Sequence, residues 1–316
     1  MEGRPPSRRG DGSYFFIESD EYDSAYFEKF SKFRSYQLND MILTSLEFDH
    51  ADIFENVEQI KDEFRTALKK IEGRVYFDSS YKHATDLLKE FDLEKTPYGY
   101  KQTLEILSEG EEGTEFSFKR DGRPLFFKTN LVGRHNILNL IPCIHLALDD
   151  GFDLGQIKDA LLDLKLVKRR QEYRGKYKGS IVIDDFAHHP RAVEYVIDTI
   201  KKAYPSREVT VIFEPNSATA RSSIFQNEFT EAFMNADRLI FTLPARATSA
   251  MGAENIDGRK VCETLRNAGK AAVQVDSLEV LLSEMERYAV DDNVFLVLSN
   301  GTCLGLWESV FVSKLS

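Results

Sequence analysis

Cysteine is scarce. Cys143, Cys262 and Cys303 are the only three in 316 residues and lie far apart. A disulfide framework or a zinc cluster is therefore not expected, and buried free thiols in a reducing cytoplasm are. No apolar run approaches the ~20 residues of a membrane-spanning helix. The opening residues, "MEGRPPSRRGDGS", are basic but lack the apolar middle of a signal peptide. Excess positive charge is lacking too: 41 Lys and Arg stand against 52 Asp and Glu, a net charge of −11. That argues against a general affinity for nucleic acid or anionic membranes and leaves room only for a local basic site. What remains is an ordinary globular composition, 42% hydrophobic and 29% charged, long enough for one large or two ordinary domains.

Two textures follow one another. The first, through Leu164, is mixed. "YFFI" (14–17) and "MILTSL" (41–46) read as buried strands separated by a helical stretch, and "GRVYFD" (73–78) as another strand followed by a helix over 81–91. Residues 114–128 alternate around Asp121-Gly122, a favoured hairpin turn pair. Helices are predicted over 136–148 and 154–164. The second texture, from Gly179, is regular: apolar strands at 180–185, 209–214, 237–243 and 293–299 alternate with helices, the last over 304–312. Ala192, Val193, Val196, Ile197 and Ile200 share one helix face. Alternating β and α with β-branched strands implies a parallel sheet covered on both faces. The domain boundary is placed at Leu166, giving domains 1–166 and 167–316.

In such sheets ligands bind beyond the carboxyl ends of the strands, and the polar clusters lie there. Glu18, Asp20, Glu21 and Asp23 follow the first strand; Glu47, Asp49 and His50 follow the second. Glu18 and His50 would suit Mg²⁺ or Mn²⁺ carrying phosphates. Either cluster alone reads as solvated loop, but two at matching positions favour the metal. "VGRHNILNL" opens a helix with Asn136 and Asn139, residues fit to hold a phosphate or a base edge, or simply to cap and face solvent. "LVKRRQEYRG" is a basic knot of Lys168, Arg169, Arg170 and Arg174, either a phosphate grip or a solvated linker. "VIDDFAHHP" ends a strand in Asp184 and Asp185, then turns through His188 and His189 into a helix opened by Pro190. Adjacent histidines are poor co-ligands, so no zinc site is expected there. Asn216, Ser217, Thr219 and Arg221 in "FEPNSATARSS", and Ser299 and Asn300 in "LSNGTCLG", line two further loops after strands.

These segments, in this order, resemble the Mur ligase family from about Gly10 to the C-terminus. Within it, "EFDHADIF" with "FEPNSAT" and "LSNG" is most similar to the branch that works in peptidoglycan recycling. The resemblance implies an incomplete central ATP-binding domain, a parallel sheet plus β-hairpin, followed by a Rossmann-like α/β C-terminal domain. It implies a cytoplasmic ligase that forms an amide bond between L-Ala-γ-D-Glu-meso-diaminopimelate, the murein tripeptide, and UDP-N-acetylmuramate. ATP would be the phosphoryl donor, Mg²⁺ the cofactor and an acyl phosphate the intermediate. By position, Glu18 and His50 would hold the metal, and Asn136 and Asn139 the adenine. Arg170 would reach the phosphates. Asp185 would lie near the ribose with His188 beside it. Asn216, Ser217, Thr219, Arg221, Ser299 and Asn300 would face the peptide.

One departure stands out. The family's Gly-Lys-Thr or Gly-Lys-Ser phosphate loop is nowhere in the chain. The UDP-binding domain of the family has no counterpart either. The chain thus reads as a truncated ligase, a fragment or a partner of a separately encoded N-terminal part. The expectation is negligible turnover alone, aggregation through the N-terminal half, and a C-terminal half that folds from Gly179 on. Pro142 falls inside a predicted helix, Ser45 where relatives carry Asn, Asn216 where they carry Arg, and Trp307 where they carry His. A non-catalytic Mur-like peptide-binding protein is the alternative, and a metal-dependent hydrolase built on Asp49 and His50 ranks last.

Overall fold

In the computed structural model, residues 11–19, 21, 30–48, 53–99, 104–110, 112–164, 167–243 and 254–316 are described. Three short parallel strands, β1 (Met41–Leu43), β2 (Arg74–Asp78) and β3 (Glu94–Tyr98), lie in the order β1-β2-β3. Their side chains alternate between two cores, as strand geometry requires. Val75 and Phe77 pack on α1 (Val57–Leu68) and α2 (Lys82–Leu88) with Phe33, Phe64 and Leu87. Tyr76 points the other way, toward Ile137, Ile141 and Ile144 of α3 (Arg134–Asp149) and Ile157 of α4 (Leu154–Leu162). The same core takes Phe116, Phe118 and Phe127 from an antiparallel sheet, β4 (Glu105–Gly110), β5 (Gly113–Arg120) and β6 (Arg123–Thr129). The expected hairpin is present: Asp121 and Gly122 both have positive φ, 50° and 76°, the twist that a two-residue turn between strands demands.

The second unit is a six-stranded sheet in the order β11-β10-β9-β12-β8-β7. Its strands are β7 (Glu172–Tyr177), β8 (Ser180–Asp185), β9 (Glu208–Glu214), β10 (Arg238–Thr242), β11 (Ala271–Val275) and β12 (Asn293–Ser299). All neighbours pair in parallel except β7, which is antiparallel to β8. One face is covered by α5 (Pro190–Ala203), the four-residue α6 (Ala218–Arg221), α7 (Gln226–Phe233) and α8 (Gly258–Asn267). The other face carries α9 (Leu278–Tyr288) and the C-terminal residues Leu306 and Phe311. The doubly covered parallel sheet expected from the regular texture is therefore present.

Three expectations are corrected. Residues 14–17 form no strand: Phe15 and Phe16 are 82% and 74% exposed, and no described residue offers the ladder partner a strand backbone needs. The final helix is replaced by 3₁₀ turns at Leu306–Glu308 and Val312–Lys314. There the Ser309 hydroxyl donates to the Leu306 carbonyl and accepts from the Phe311 amide, competing with helical bonds. The helix expected over 136–148 is present: α3 runs through Pro142 with the ring buried, at the cost of the bond that the Leu138 carbonyl would accept. Finally, the second unit is not complete from Gly179 on. β7 precedes it and covers the edge of β8, and the terminal Ser316 in turn pairs with Lys176 of β7. Leu166, the expected boundary, lies outside the described residues.

Candidate active site

Helix α5 is packed on both sides. Val193, Val196, Ile197 and Ile200 enter the core of the second unit. Arg191, Tyr195 and Thr199, at four-residue intervals, make the opposite stripe, and that stripe meets the first unit. Thr199 lies against Gly133, and Tyr195 is parallel to the His135 ring at 6.5 Å. Arg191 forms an ion pair with Glu47 and sits 4.5 Å over the Tyr81 ring, while its Nε donates to the Tyr195 hydroxyl at 3.0 Å. Above these contacts a cleft of about 230 Å³ opens between the units. Ser45, Glu47 and Tyr81 line it from the carboxyl ends of β1 and β2, and His189, Arg191 and Tyr195 from the start of α5. That is where an open parallel sheet is expected to bind ligand.

Beside the cleft, Gly133 with φ 94° turns the chain into α3, and its amide donates to Glu109 at 2.7 Å. Asn136 caps this turn, its Nδ2 donating to the Val132 carbonyl at 2.7 Å; Asn139 is exposed one turn on. His135 is a further residue of this site, with no signal of its own in the sequence. Burial first, and the Arg170 guanidinium second, press its pKa down to about 4, so the ring is neutral near pH 7. Gln171 Nε2 lies 2.9 Å from His135 Nε2, which places the ring proton on Nδ1, an atom without a hydrogen-bond partner among the described residues. Arg170 is exposed, with its guanidinium 5.8 Å from the Phe186 ring centre.

Asp185 binds this linker to β8. Its Oδ2 accepts from the Gln171 amide at 2.9 Å and its Oδ1 from the Ala187 amide at 2.8 Å. Burial raises its pKa, while those amides and Arg170 act in the opposite sense. His188 Nδ1 donates to the Phe186 carbonyl at 2.9 Å, which fixes the ring's orientation. Thus Arg170, Asp185, His188 and the start of α3 come together at one junction. Asp184 faces the other side of the sheet. It is fully buried beside Arg169 at 3.4 Å and Arg174 at 3.8 Å, yet burial still pushes its pKa up to about 6.

The two loops expected to face peptide are corrected in part. Thr219, Arg221 and Ser299 are buried, and Ser217 caps α6 by accepting from the Ala220 amide at 3.0 Å. Arg221 donates to the Asn216 carbonyl. These side chains shape the loops; Asn216 and Asn300 are half-buried. The organiser is Glu214, unmarked in the sequence. Its carboxylate takes the Ser299 hydroxyl and the amides of Cys303 and Leu304 at 3.0 and 3.1 Å. Arg169 reaches the Ser299 and Gly301 carbonyls from the opposite side. Of the expected metal ligands, Glu18 is exposed and His50 lies outside the described residues, as do Asp20, Asp23 and Asp49. Among the described residues no three His, Cys, Asp or Glu side chains converge as a metal site.

Comparison with known proteins gives a consistent result. Residues 8–147 match the Mur ligase middle domain and residues 169–301 the Mur ligase glutamate ligase domain. The UDP-N-acetylmuramate–L-alanine ligase of Desulforapulum autotrophicum is 27% identical over 96% of this chain and 66% of its own length. The UDP-N-acetylmuramate–L-alanyl-γ-D-glutamyl-meso-2,6-diaminoheptandioate ligase of Haemophilus influenzae is also 27% identical, over the same shares. The crystal structure of the UDP-N-acetylmuramate–alanine ligase of Thermotoga maritima superposes with a TM-score of 0.67 at 22% identity, over 89% of this chain and 59% of that one. The chain spans about two thirds of the length of the curated relatives it matches.

Proposed function

This chain belongs to the Mur ligase family, carrying its middle and glutamate ligase domains, and we propose that it serves ATP-dependent amide formation on a muramoyl carboxylate. The acceptor is UDP-N-acetylmuramate and the incoming amine is that of the murein tripeptide. The γ-phosphoryl group of ATP passes to the carboxylate with release of ADP. The amine then attacks the acyl phosphate, the new C–N bond forms, and phosphate leaves. The observation that carries this reading is the junction itself. Arg170, Asp185 and His188 come from one unit and His135 and Asn136 from the other, at the end of the sheets where phosphorylated ligands bind.

In this reading the exposed Arg170 guanidinium neutralises phosphate charge, which in phosphoryl transfer is most of the catalysis a protein supplies. Asp185 keeps the 170–171 linker on β8, so that Arg170 is presented at a set distance from α3. Neutral His135, held by Gln171, backs the turn where Asn136 and Asn139 are proposed to meet the adenine. Asn216 and Asn300 remain the candidates for peptide contact, and the buried Thr219, Arg221 and Ser299 would act by holding their loops. Magnesium, proposed with Glu18 and His50, would supply charge neutralisation to the ATP phosphates. The described residues by themselves assemble no site for it.

The test is calorimetric titration with ATP and Mg²⁺. Arg170→Ala is expected to weaken binding about tenfold or more, the worth of one charge-assisted contact. Equal affinity in the variant would remove Arg170 from the site. No binding by the unaltered chain would favour a peptide-binding module over a ligase.

A further inference from the structure

We propose that Arg191 is the oxyanion-binding residue of the interdomain cleft, and that Glu47 holds its guanidinium only until a phosphoryl group displaces it. The proposal rests on the ligase reading for the identity of the ligand, but not for its charge. Pro190 opens the fourteen-residue α5, so Arg191 leaves a helix N-terminus, where backbone amides and the dipole favour anions. The same residue lines the cleft together with Ser45, Tyr81 and His189. Its plane is set in advance: the Tyr81 ring covers the guanidinium at 4.5 Å and the Tyr195 hydroxyl takes its Nε. With the face covered, the guanidinium edge is the direction left for hydrogen bonding, and Nη1 at that edge meets the Glu47 carboxylate.

A carboxylate and a phosphoryl group present the same pair of oxygens to an arginine fork. Glu47 therefore occupies Arg191 as a ligand would. Magnitudes favour exchange. Both side chains are 34% exposed, and an ion pair so open to water is worth roughly 0–1 kcal/mol. A phosphoryl group carrying up to two charges outbids it at little cost, because no charge is left buried. The exchange also has a consequence for the two units. Glu47 belongs to the first and Arg191 to the second, so a ligand that takes Arg191 replaces a direct bridge by one through itself. The opposite use of the cleft is a cation held by Glu21 and Glu47, the two carboxylates in its lining. The two uses predict opposite signs for one substitution.

The experiment is calorimetric titration with inorganic tripolyphosphate in EDTA, then with ATP and with UDP-N-acetylmuramate, for the unaltered chain and four variants. Glu47→Gln, a near-isosteric change, is expected to tighten tripolyphosphate binding about threefold by releasing Arg191. Arg191→Gln is expected to weaken it about tenfold or more. In the double variant the gain from Glu47→Gln should vanish, because its only route is through Arg191. An Arg191→Lys variant, with circular dichroism on all four, separates lost charge from lost fold. Weaker binding in Glu47→Gln, or a gain that survives without Arg191, would overturn the proposal. The arms also separate it from the ligase reading. Tripolyphosphate binding with the expected signs but no nucleotide binding leaves this proposal standing and sinks that reading. ATP binding indifferent to both residues does the reverse, and binding of neither ligand overturns both.

Discussion

Desolvation shifts His135 at the junction and Asp184 on the other side of the sheet in opposite directions. His135 has its pKa lowered to about 4, so it favours the folded state above its unfolded pKa near 6.5 and costs stability as pH falls toward 4. Asp184 has its pKa raised from 3.8 to about 6, because desolvation outweighs Arg169 and Arg174. Its folded state is favoured fully below the unfolded pKa, and that advantage is lost as pH rises from about 4 through 6. Asp184→Asn should remove this loss. The stability of the variant minus that of the parent should rise by on the order of 2 kcal/mol between pH 4 and 7 in urea denaturation. A flat difference would show that the arginines, not burial, set the state of Asp184. The adjacency of Asp184 and Asp185 in a strand dictates opposite faces. Nothing in that adjacency says that one meets two arginines and the other two backbone amides.

Among the elements, α3 and α5 carry the junction, and Gly133 at the start of α3 lies against Thr199 of α5. A Cβ there would lie 2.8 Å from Thr199 Cγ2 and 2.9 Å from His135 Cε1, and φ 94° is strained for any other residue. Gly133→Ala is expected to cost about 2 kcal/mol or more in a thermal or urea melt and to weaken ATP binding by displacing His135. An unchanged melt would mean that the two helices part without penalty. Helix α5 was legible from its apolar spacing. Its second stripe, Arg191, Tyr195 and Thr199, was equally open to the same count, but a polar stripe ordinarily faces water. The 14–17 segment was misread because four apolar residues resemble a buried strand, whereas pairing depends on a neighbour that local composition does not specify.

At the scale of the molecule, the second unit owes its integrity to β7, a strand that the apolar pattern of the sequence does not reveal. β7 covers the β8 edge, supplies Arg174 to Asp184 and receives Ser316. A fragment of residues 167–316 should fold cooperatively with the whole six-stranded sheet. A fragment of residues 179–316 loses β7, uncovers the β8 edge and takes both arginines away from Asp184. It should be less stable by on the order of 3 kcal/mol, measured by urea denaturation. Equal stabilities would show that β7 is dispensable. The first unit has a smaller parallel sheet of three strands and leans on α5 through Glu47, His135 and Gly133.

The sequence by itself determined the class of each unit, the hairpin at Asp121-Gly122, most helices of the second half, and the family. All of these rest on periodicity, turn chemistry or ordered motifs, which are properties of short stretches. Only the tertiary structure decided that Glu47 is spent on Arg191, that Glu214 gathers the 299–304 loop, that Thr219 and Arg221 are interior, and that His135 is neutral. Each depends on a partner from a distant stretch of chain: 144 residues separate Arg191 from Glu47 and 89 separate Cys303 from Glu214. Burial and charge pairing are set by what the fold brings near, and a residue's sequence neighbours carry no record of that.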